Sequence, residues 1–166
     1  MIEKNKNNTK ILEQNKNSWD AMADSWFGST ALPSYGCLVP SEEELQLFPD
    51  LTGKKVLDIG CGSGHSLKWC NEHGAEEIWG LDMSTRQLEN ARTYLTQSGY
   101  EPHLINAPME SDCDLPTDYF DVVYSIYALG WTVDLNTTID RISCYLKRGG
   151  TVSYTHLRAH ETSAHL

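Results

Sequence analysis

The spacing of apolar residues changes along the chain. Over residues 10–27, Trp19, Met22, Ala23 and Trp26 recur at i, i+3, i+4 and i+7, which predicts a helix with one apolar face. Residues 1–9 are polar and rich in Asn and Lys and are expected to form a frayed end. After a loop with Pro33, Gly36 and Pro40, Ser41-Glu42-Glu43-Glu44 reads as a capping box that starts a short helix through Phe48. Its three glutamates are expected to be a solvated first turn, favoured by the helix dipole. From residue 54 short apolar runs alternate with helical patterns. Lys55–Ile59, Glu77–Leu81, Pro102–Asn106 and Phe120–Ser125 predict strands, the last apolar on both faces as a buried parallel strand is. His65–His73 predicts a helix, and so does the segment after a second capping box, Ser84-Thr85-Arg86-Gln87, which carries Leu88, Ala91 and Leu95 on one face and stops at Gly99. Leu135, Ile139, Ile142 and Leu146 mark a helix ending at Gly149-Gly150, and Thr151 is expected to begin a fifth strand. This alternation predicts an α/β fold with a doubly wound, mostly parallel sheet and helices on both faces.

A length of 166 residues with 40% apolar content fits one domain with a buried core. The formal charge of −10, with no Lys/Arg cluster after the first sixteen residues, argues against a nucleic-acid partner. Five cysteines without a CxxC pair suggest neither a disulfide framework nor a zinc site, and reduced thiols suit a cytoplasmic location. The opening residues lack the apolar run of a signal peptide, and no stretch approaches the length that spans a membrane. Oligomeric state is left open.

The segment that carries chemistry is Val56-Leu57-Asp58-Ile59-Gly60-Cys61-Gly62-Ser63-Gly64. A strand ends, glycines recur at every second position, and a helix starts. Glycines permit a sharp turn and close approach of backbone to a ligand, and the following helix offers unpaired N–H groups. The next strand, Trp79-Gly80-Leu81-Asp82, ends in an acid that can accept ribose hydroxyls. Together these define a nucleoside-binding βαβ unit. A dinucleotide fingerprint would read GxGxxG or GxGxxA from Gly60, but His65 occupies the place of the third small residue. Asp58 would also repel a pyrophosphate, whereas it suits the ammonium of a methionine moiety. The charges favour a cationic sulfonium nucleoside, S-adenosyl-L-methionine.

These residues resemble the class I S-adenosylmethionine-dependent methyltransferases. VLDIGCGSG looks like their motif I, WGLDMS like motif II, FDVVYSIYALGW like strand four, and YLKRGGT like the turn before strand five. The resemblance covers about residues 55–151. It implies methyl transfer to a small-molecule acceptor, with Asp58, Gly60, Cys61, Gly62, Gly64, Asp82, Met83, Pro108, Met109 and Ser125 as cofactor-binding residues. Pro108 stands where the family often has an acid for the adenine amine, which leaves a backbone contact from Met109; Arg148 replaces a usual proline. Ser125 is expected to offer its carbonyl to the cofactor's amino group. Cys61 is expected to be a small filler inside the turn, not a nucleophile. Tyr127 and Trp131 are candidates for the acceptor pocket, and Trp19 and Trp26 for a lid; plain core packing is the competing reading of all four. No general base is identifiable. A nicotinamide-dependent oxidoreductase and a non-catalytic nucleoside-binding protein are the rival readings.

Three parts are therefore expected: a helical lid or cap over residues 1–53, a cofactor-binding domain over 54–151, and a tail over 152–166. Residues 152–162, VSYTHLRAHET, resemble the translation of a transposase sequencing adapter, and their polarity is expected to break the strand begun at Thr151. On that reading the tail is foreign, the i, i+4 pair His156 and His160 holds no metal, and the sheet stops after the start of strand five, short of the family's seven strands.

Overall fold

The computed structural model describes residues 2–36 and 39–155. In chain order the elements are α1 (Ile2–Met22), α2 (Glu42–Leu45), β1 (Lys55–Ile59), α3 (His65–Glu72), β2 (Glu77–Asp82), α4 (Thr85–Gln97), β3 (His103–Asn106), β4 (Phe120–Ile126), a 3-10 turn (Leu129–Trp131), α5 (Leu135–Tyr145) and β5 (Leu146–Thr155). All strand pairs are parallel, in the order β3-β2-β1-β4-β5. The chain winds outward from β1 to β3, then returns to the other side of β1 for β4 and β5. This reversal opens a crevice at the carboxyl ends of β1 and β4, the place where open α/β sheets take ligands.

Side chains alternate across β1, so each face of the sheet has its own core. Val56 packs with Leu67, Cys70, Ile78, Leu88, Leu95, Val122 and Tyr124. Leu57 and Ile59 pack with Leu81, Phe120, Val123, Ile142 and Tyr145 on the opposite face. Burial on both sides is why β1 and β4 read as continuous apolar runs.

Four local expectations are corrected. The first helix is regular from Ile2, so residues 2–9 are not a frayed end; the segment 2–22 has no Gly or Pro to stop it. Glu42 is not solvated: it is 5% exposed and accepts hydrogen bonds from Tyr35 Oη at 2.7 Å, Phe48 N at 2.7 Å and Leu47 N at 3.1 Å. The last helix ends at Tyr145, and Leu146 already pairs with Phe120, so β5 begins there and not at Thr151. Val122 pairs with Thr151, which leaves residues 147–150 as a bulge opposite Asp121. A Cβ on Gly150 would lie 2.9 Å from Leu146 Cδ2 and 3.0 Å from Lys147 O, so the bulge needs glycine there.

The fourth correction concerns the strand expected to break after Thr151. Val152, Ser153, Tyr154 and Thr155 do not break the strand; they pair in register with Val123, Tyr124, Ser125 and Ile126. The ladder is built by the main chain, and this strand lies at the end of the sheet order, with Val152 43% and Tyr154 59% exposed. An edge position tolerates polar side chains that a central strand would not. His156 and His160 lie outside the described residues. Among the described residues no group of His, Cys, Asp and Glu is arranged to hold a metal, and no helix is long and apolar enough to cross a membrane.

Candidate functional site

A cleft of about 630 Å³ opens at the carboxyl ends of β1, β2 and β4. Its floor is the turn after β1. Gly60 N and Cys61 N both donate to Leu81 O, at 2.7 and 3.1 Å, which sews the turn to the end of β2. Gly62 N then donates to Asp82 Oδ2 at 2.9 Å, and Ser84 N to Asp82 Oδ1 at 2.8 Å. Asp82 is thus fixed by two backbone donors while still lining the cleft.

The first two glycines of this turn serve different purposes. Gly60 has φ +78°, and a Cβ there would fall 2.1 Å from Ala128 Cβ. It allows the turn after β1 to pass under the segment after β4. Gly62 has φ +52°, but a Cβ there meets only Gln87 Oε1, at 3.8 Å. The space beside Gly62 is open cleft, as a site for close backbone approach requires.

Two carboxyl groups enclose this space. Asp58 is 2% exposed, and its Oδ1 has no hydrogen-bond partner. Burial pushes its carboxyl well above the usual carboxylate range; a Tyr124 hydroxyl bond opposes this and the nearby Asp82 charge adds to it. Burial also raises Asp82, against the lowering effect of the Ser84 and Gly62 N–H groups. The Cys61 thiol is raised by burial and by both acids, which keeps it protonated and inert. A buried acid with an unpaired oxygen, beside a half-buried one, forms a site for a ligand that brings positive charge and hydrogen-bond donors.

Of the residues expected to hold a cofactor, Asp58, Gly60, Cys61, Gly62, Asp82, Met83 and Met109 line the cleft together. Gly64, Pro108 and Ser125 do not. A Cβ on Gly64 would meet Leu95 Cδ1 at 2.9 Å and Ala91 Cβ at 3.1 Å, so this glycine lets α3 close against α4. Pro108 only accepts a turn bond from Ser111 N, and Ala107 lines the cleft in its place. Ser125 Oγ donates to Ile59 O at 2.8 Å, tying β4 to β1 behind the site.

Trp19, Met22, Trp26, Tyr127 and Trp131 form the apolar side of the cleft. Trp26 lies beyond the end of α1, in a turn, but Trp19 still meets it edge-on at 6.0 Å and meets Trp131 at 5.2 Å. Helix α1 crosses the opening from rim to rim. On one side Asn15 Nδ2 donates to Trp131 O at 3.3 Å. On the other, Asp20 Oδ1 accepts from Ser84 Oγ at 2.7 Å and Arg86 N at 3.1 Å, while Asp24 pairs with Arg86 through Nε at 3.1 Å and Nη2 at 3.0 Å. Asp20 and Asp24 carried no signal in the sequence, where acids on the polar side of a helix read as solvated. His65 was noticed only as a departure from the dinucleotide pattern. It lines the cleft, stacked on Tyr94 at 4.0 Å, with its pKa lowered by burial and by Lys68. Among the described residues no lysine or arginine lines the cleft.

Residues 57–154 match the family described as a methyltransferase domain, so the match runs into β5 and past the expected boundary at Thr151. The chain is 34% identical over 113 residues to a ubiquinone biosynthesis O-methyltransferase of Vibrio atlanticus, covering 68% of this chain and 47% of that protein. It resembles the crystal structure of an S-adenosylmethionine dependent methyltransferase from Mesorhizobium loti, with TM-score 0.61 and 30% identity over 68% of this chain and 50% of that one. It also resembles phosphoethanolamine N-methyltransferase 2 of Haemonchus contortus in complex with S-adenosyl-L-methionine, with TM-score 0.62 and 25% identity over 67% of this chain and 26% of that one. The chain spans about half the length of the curated relatives it matches.

Proposed function

The chain belongs to the class I S-adenosylmethionine-dependent methyltransferases, with S-adenosylmethionine as cofactor, and from that premise we propose that it takes part in methyl transfer to a small, uncharged, largely apolar acceptor. The observation that carries this reading is that one cleft is lined both by acids and by a tryptophan cluster. At the ends of β1 and β2 it holds Asp58, Asp82 and an open glycine turn. The same cleft is also lined by Trp19, Met22, Trp26, Tyr127 and Trp131.

When bound, the cofactor supplies a methyl group activated by a sulfonium leaving group. The residues of this chain bind, orient and exclude water. Asp82, held by Gly62 N and Ser84 N, would accept the ribose hydroxyls. Asp58, with its unpaired Oδ1, would meet the ammonium of the methionine part. Met83, Ala107 and Met109 would flank the adenine, and Gly60, Cys61 and Gly62 would let the backbone approach. Gly64, Pro108 and Ser125 would support this site from behind. In-line displacement gains most from proximity and orientation. Helix α1, anchored at both rims, would keep water from the reacting centre, which gives residues 1–53 the role of a cap over the domain that follows.

The acceptor class follows from charge. A phosphate- or carboxylate-bearing acceptor would find no cationic side chain among the described lining residues, and an anionic polymer would also meet a chain of net charge −10. A nicotinamide dinucleotide is disfavoured for a related reason, since its pyrophosphate would lie at the glycine turn beside Asp58, with no cationic side chain among the described lining residues to offset the repulsion. A cytoplasmic location fits this chemistry. The test is methyl transfer from labelled S-adenosylmethionine, by this chain and by its longer relatives, to a panel of neutral aromatic and anionic acceptors. Turnover restricted to the neutral group supports the reading; turnover restricted to the anionic group overturns it.

A further inference from the structure

We propose that Gln87 is a cofactor-binding residue, its side-chain amide pairing with a hydroxyl or amino donor of the nucleoside beside Gly62. The inference rests on the reading of the cleft as the S-adenosylmethionine site and adds to it a side chain that the motifs do not contain.

The capping box at the start of α4 is only half made. In Ser84-Thr85-Arg86-Gln87 the fourth residue should return its side chain to the first residue's N–H. Half of the exchange is present: Ser84 Oγ accepts from Gln87 N at 3.1 Å. The other half is pre-empted, because Ser84 N donates to Asp82 Oδ1 at 2.8 Å. Asp82 occupies the position that the Gln87 side chain would otherwise fill, and the amide is released from its usual local duty.

The released amide enters the cleft. Gln87 is 5% exposed and lines the same space as Asp58, Gly62 and Asp82. Its Oε1 is buried without a hydrogen-bond partner, 3.8 Å from where a Cβ on Gly62 would lie. The neighbouring groups Gly62 N, Ser84 N and Ser84 Oγ are paired, the first two with Asp82 and the last with Asp20. Buried amide oxygens are ordinarily satisfied, and an exception in a ligand cleft marks where a ligand donor belongs. An acceptor adjoining the proposed ribose carboxylate calls for a ligand with hydroxyl or amino hydrogens at that point. S-adenosylmethionine has both on its nucleoside.

The experiment uses the near-isosteric, apolar Gln87→Met. S-adenosylhomocysteine affinity is measured by titration calorimetry, and the melting temperature of the ligand-free protein is measured alongside. The expected result is an affinity lowered about 3- to 10-fold, the worth of one hydrogen bond, with a melting temperature unchanged or raised because an unpaired buried acceptor has gone. Unchanged affinity would overturn the proposal. So would a fall in affinity accompanied by a fall in melting temperature, which would make Gln87 a structural residue. Asp82→Ala, run in parallel, separates the two levels. If Asp82→Ala binds like the parent, the reading of the cleft fails; if it loses binding while Gln87→Met keeps it, only the role of Gln87 fails.

Discussion

Gly62 N donates to Asp82 Oδ2 at 2.9 Å, and this bond joins the glycine turn after β1 to the acid that ends β2. The two strongest signals in the sequence are thus one physical unit. The turn orients the carboxylate, and the carboxylate holds the turn open at Gly62, beside which the cleft is free of protein atoms.

Replacing Asp82 with Ala is expected to lower affinity for S-adenosylhomocysteine by about 1–3 kcal/mol, roughly 5- to 150-fold, because the ligand's hydroxyls lose their acceptor. The melting temperature should fall as well, since Gly62 N and Ser84 N are left without Oδ partners. Calorimetry and thermal melting read the two effects separately. Parent-like affinity in Asp82→Ala would remove Asp82 from the site.

Gly60 and Gly62 should behave differently although both have positive φ. Gly60→Ala places a Cβ 2.1 Å from Ala128 Cβ and is expected to disrupt the packing of the β1 and β4 ends, visible as a large loss of melting temperature. Gly62→Ala meets nothing in the protein closer than 3.8 Å, so the fold should survive with about 1–2 kcal/mol of backbone strain. Its methyl group projects into the cleft, and cofactor binding should fall more than tenfold. A folded Gly62→Ala that binds normally would place the ligand elsewhere.

The expected pH dependence follows from the raised carboxyl groups of Asp58 and Asp82. With folded values above the ordinary 3.8, the ligand-free protein keeps protons that the unfolded chain has released. Their contribution to stability is full below the ordinary carboxylate range and is lost as pH rises through the raised values. A cationic ligand favours the ionised form, so binding should release protons and tighten as pH rises through the same window. Calorimetry in buffers of different ionisation enthalpy should show this release, and Asp58→Asn should reduce it. Proton uptake on binding would contradict the assignment.

Helix α1 is expected to depend on Asp20 more than on Asp24. Asp20 Oδ1 accepts from Ser84 Oγ and Arg86 N at the start of α4, so Asp20→Ala should weaken docking of α1 by about 1–2 kcal/mol and speed proteolysis in residues 23–31. The Asp24–Arg86 pair is 67% and 47% exposed, so water and salt screen it and Asp24→Asn should leave the melting temperature and the proteolysis rate close to the parent's. Equal proteolysis rates in the parent and in Asp20→Ala would show that α1 is held by other contacts.

The sheet was legible in the sequence because β1 and β4 bury both faces and therefore read as unbroken apolar runs. Asp58, the glycines and Asp82 were legible because their chemistry needs fixed residue types at strand ends. Glu42 was not, since its partners Tyr35, Leu47 and Phe48 are folded back onto it by the irregular loops on either side of α2, which have no readable period. The start of β5 was hidden because Leu146 continues the helical spacing of α5, and only its pairing with Phe120 reveals a strand. The polarity of residues 153–155 masked their pairing because edge strands are held by main-chain bonds. Gln87 carried a local signal, the capping box, that Asp82 overrides from outside the helix.

The central claim is that this cleft is an S-adenosylmethionine site, and the most direct test is titration calorimetry of the chain with S-adenosylmethionine, S-adenosylhomocysteine and NADH. The account predicts one-to-one binding of both sulfur nucleosides, lost in Gly62→Ala, and no heat from NADH beyond dilution. Saturable binding of NADH with none of S-adenosylmethionine would contradict it.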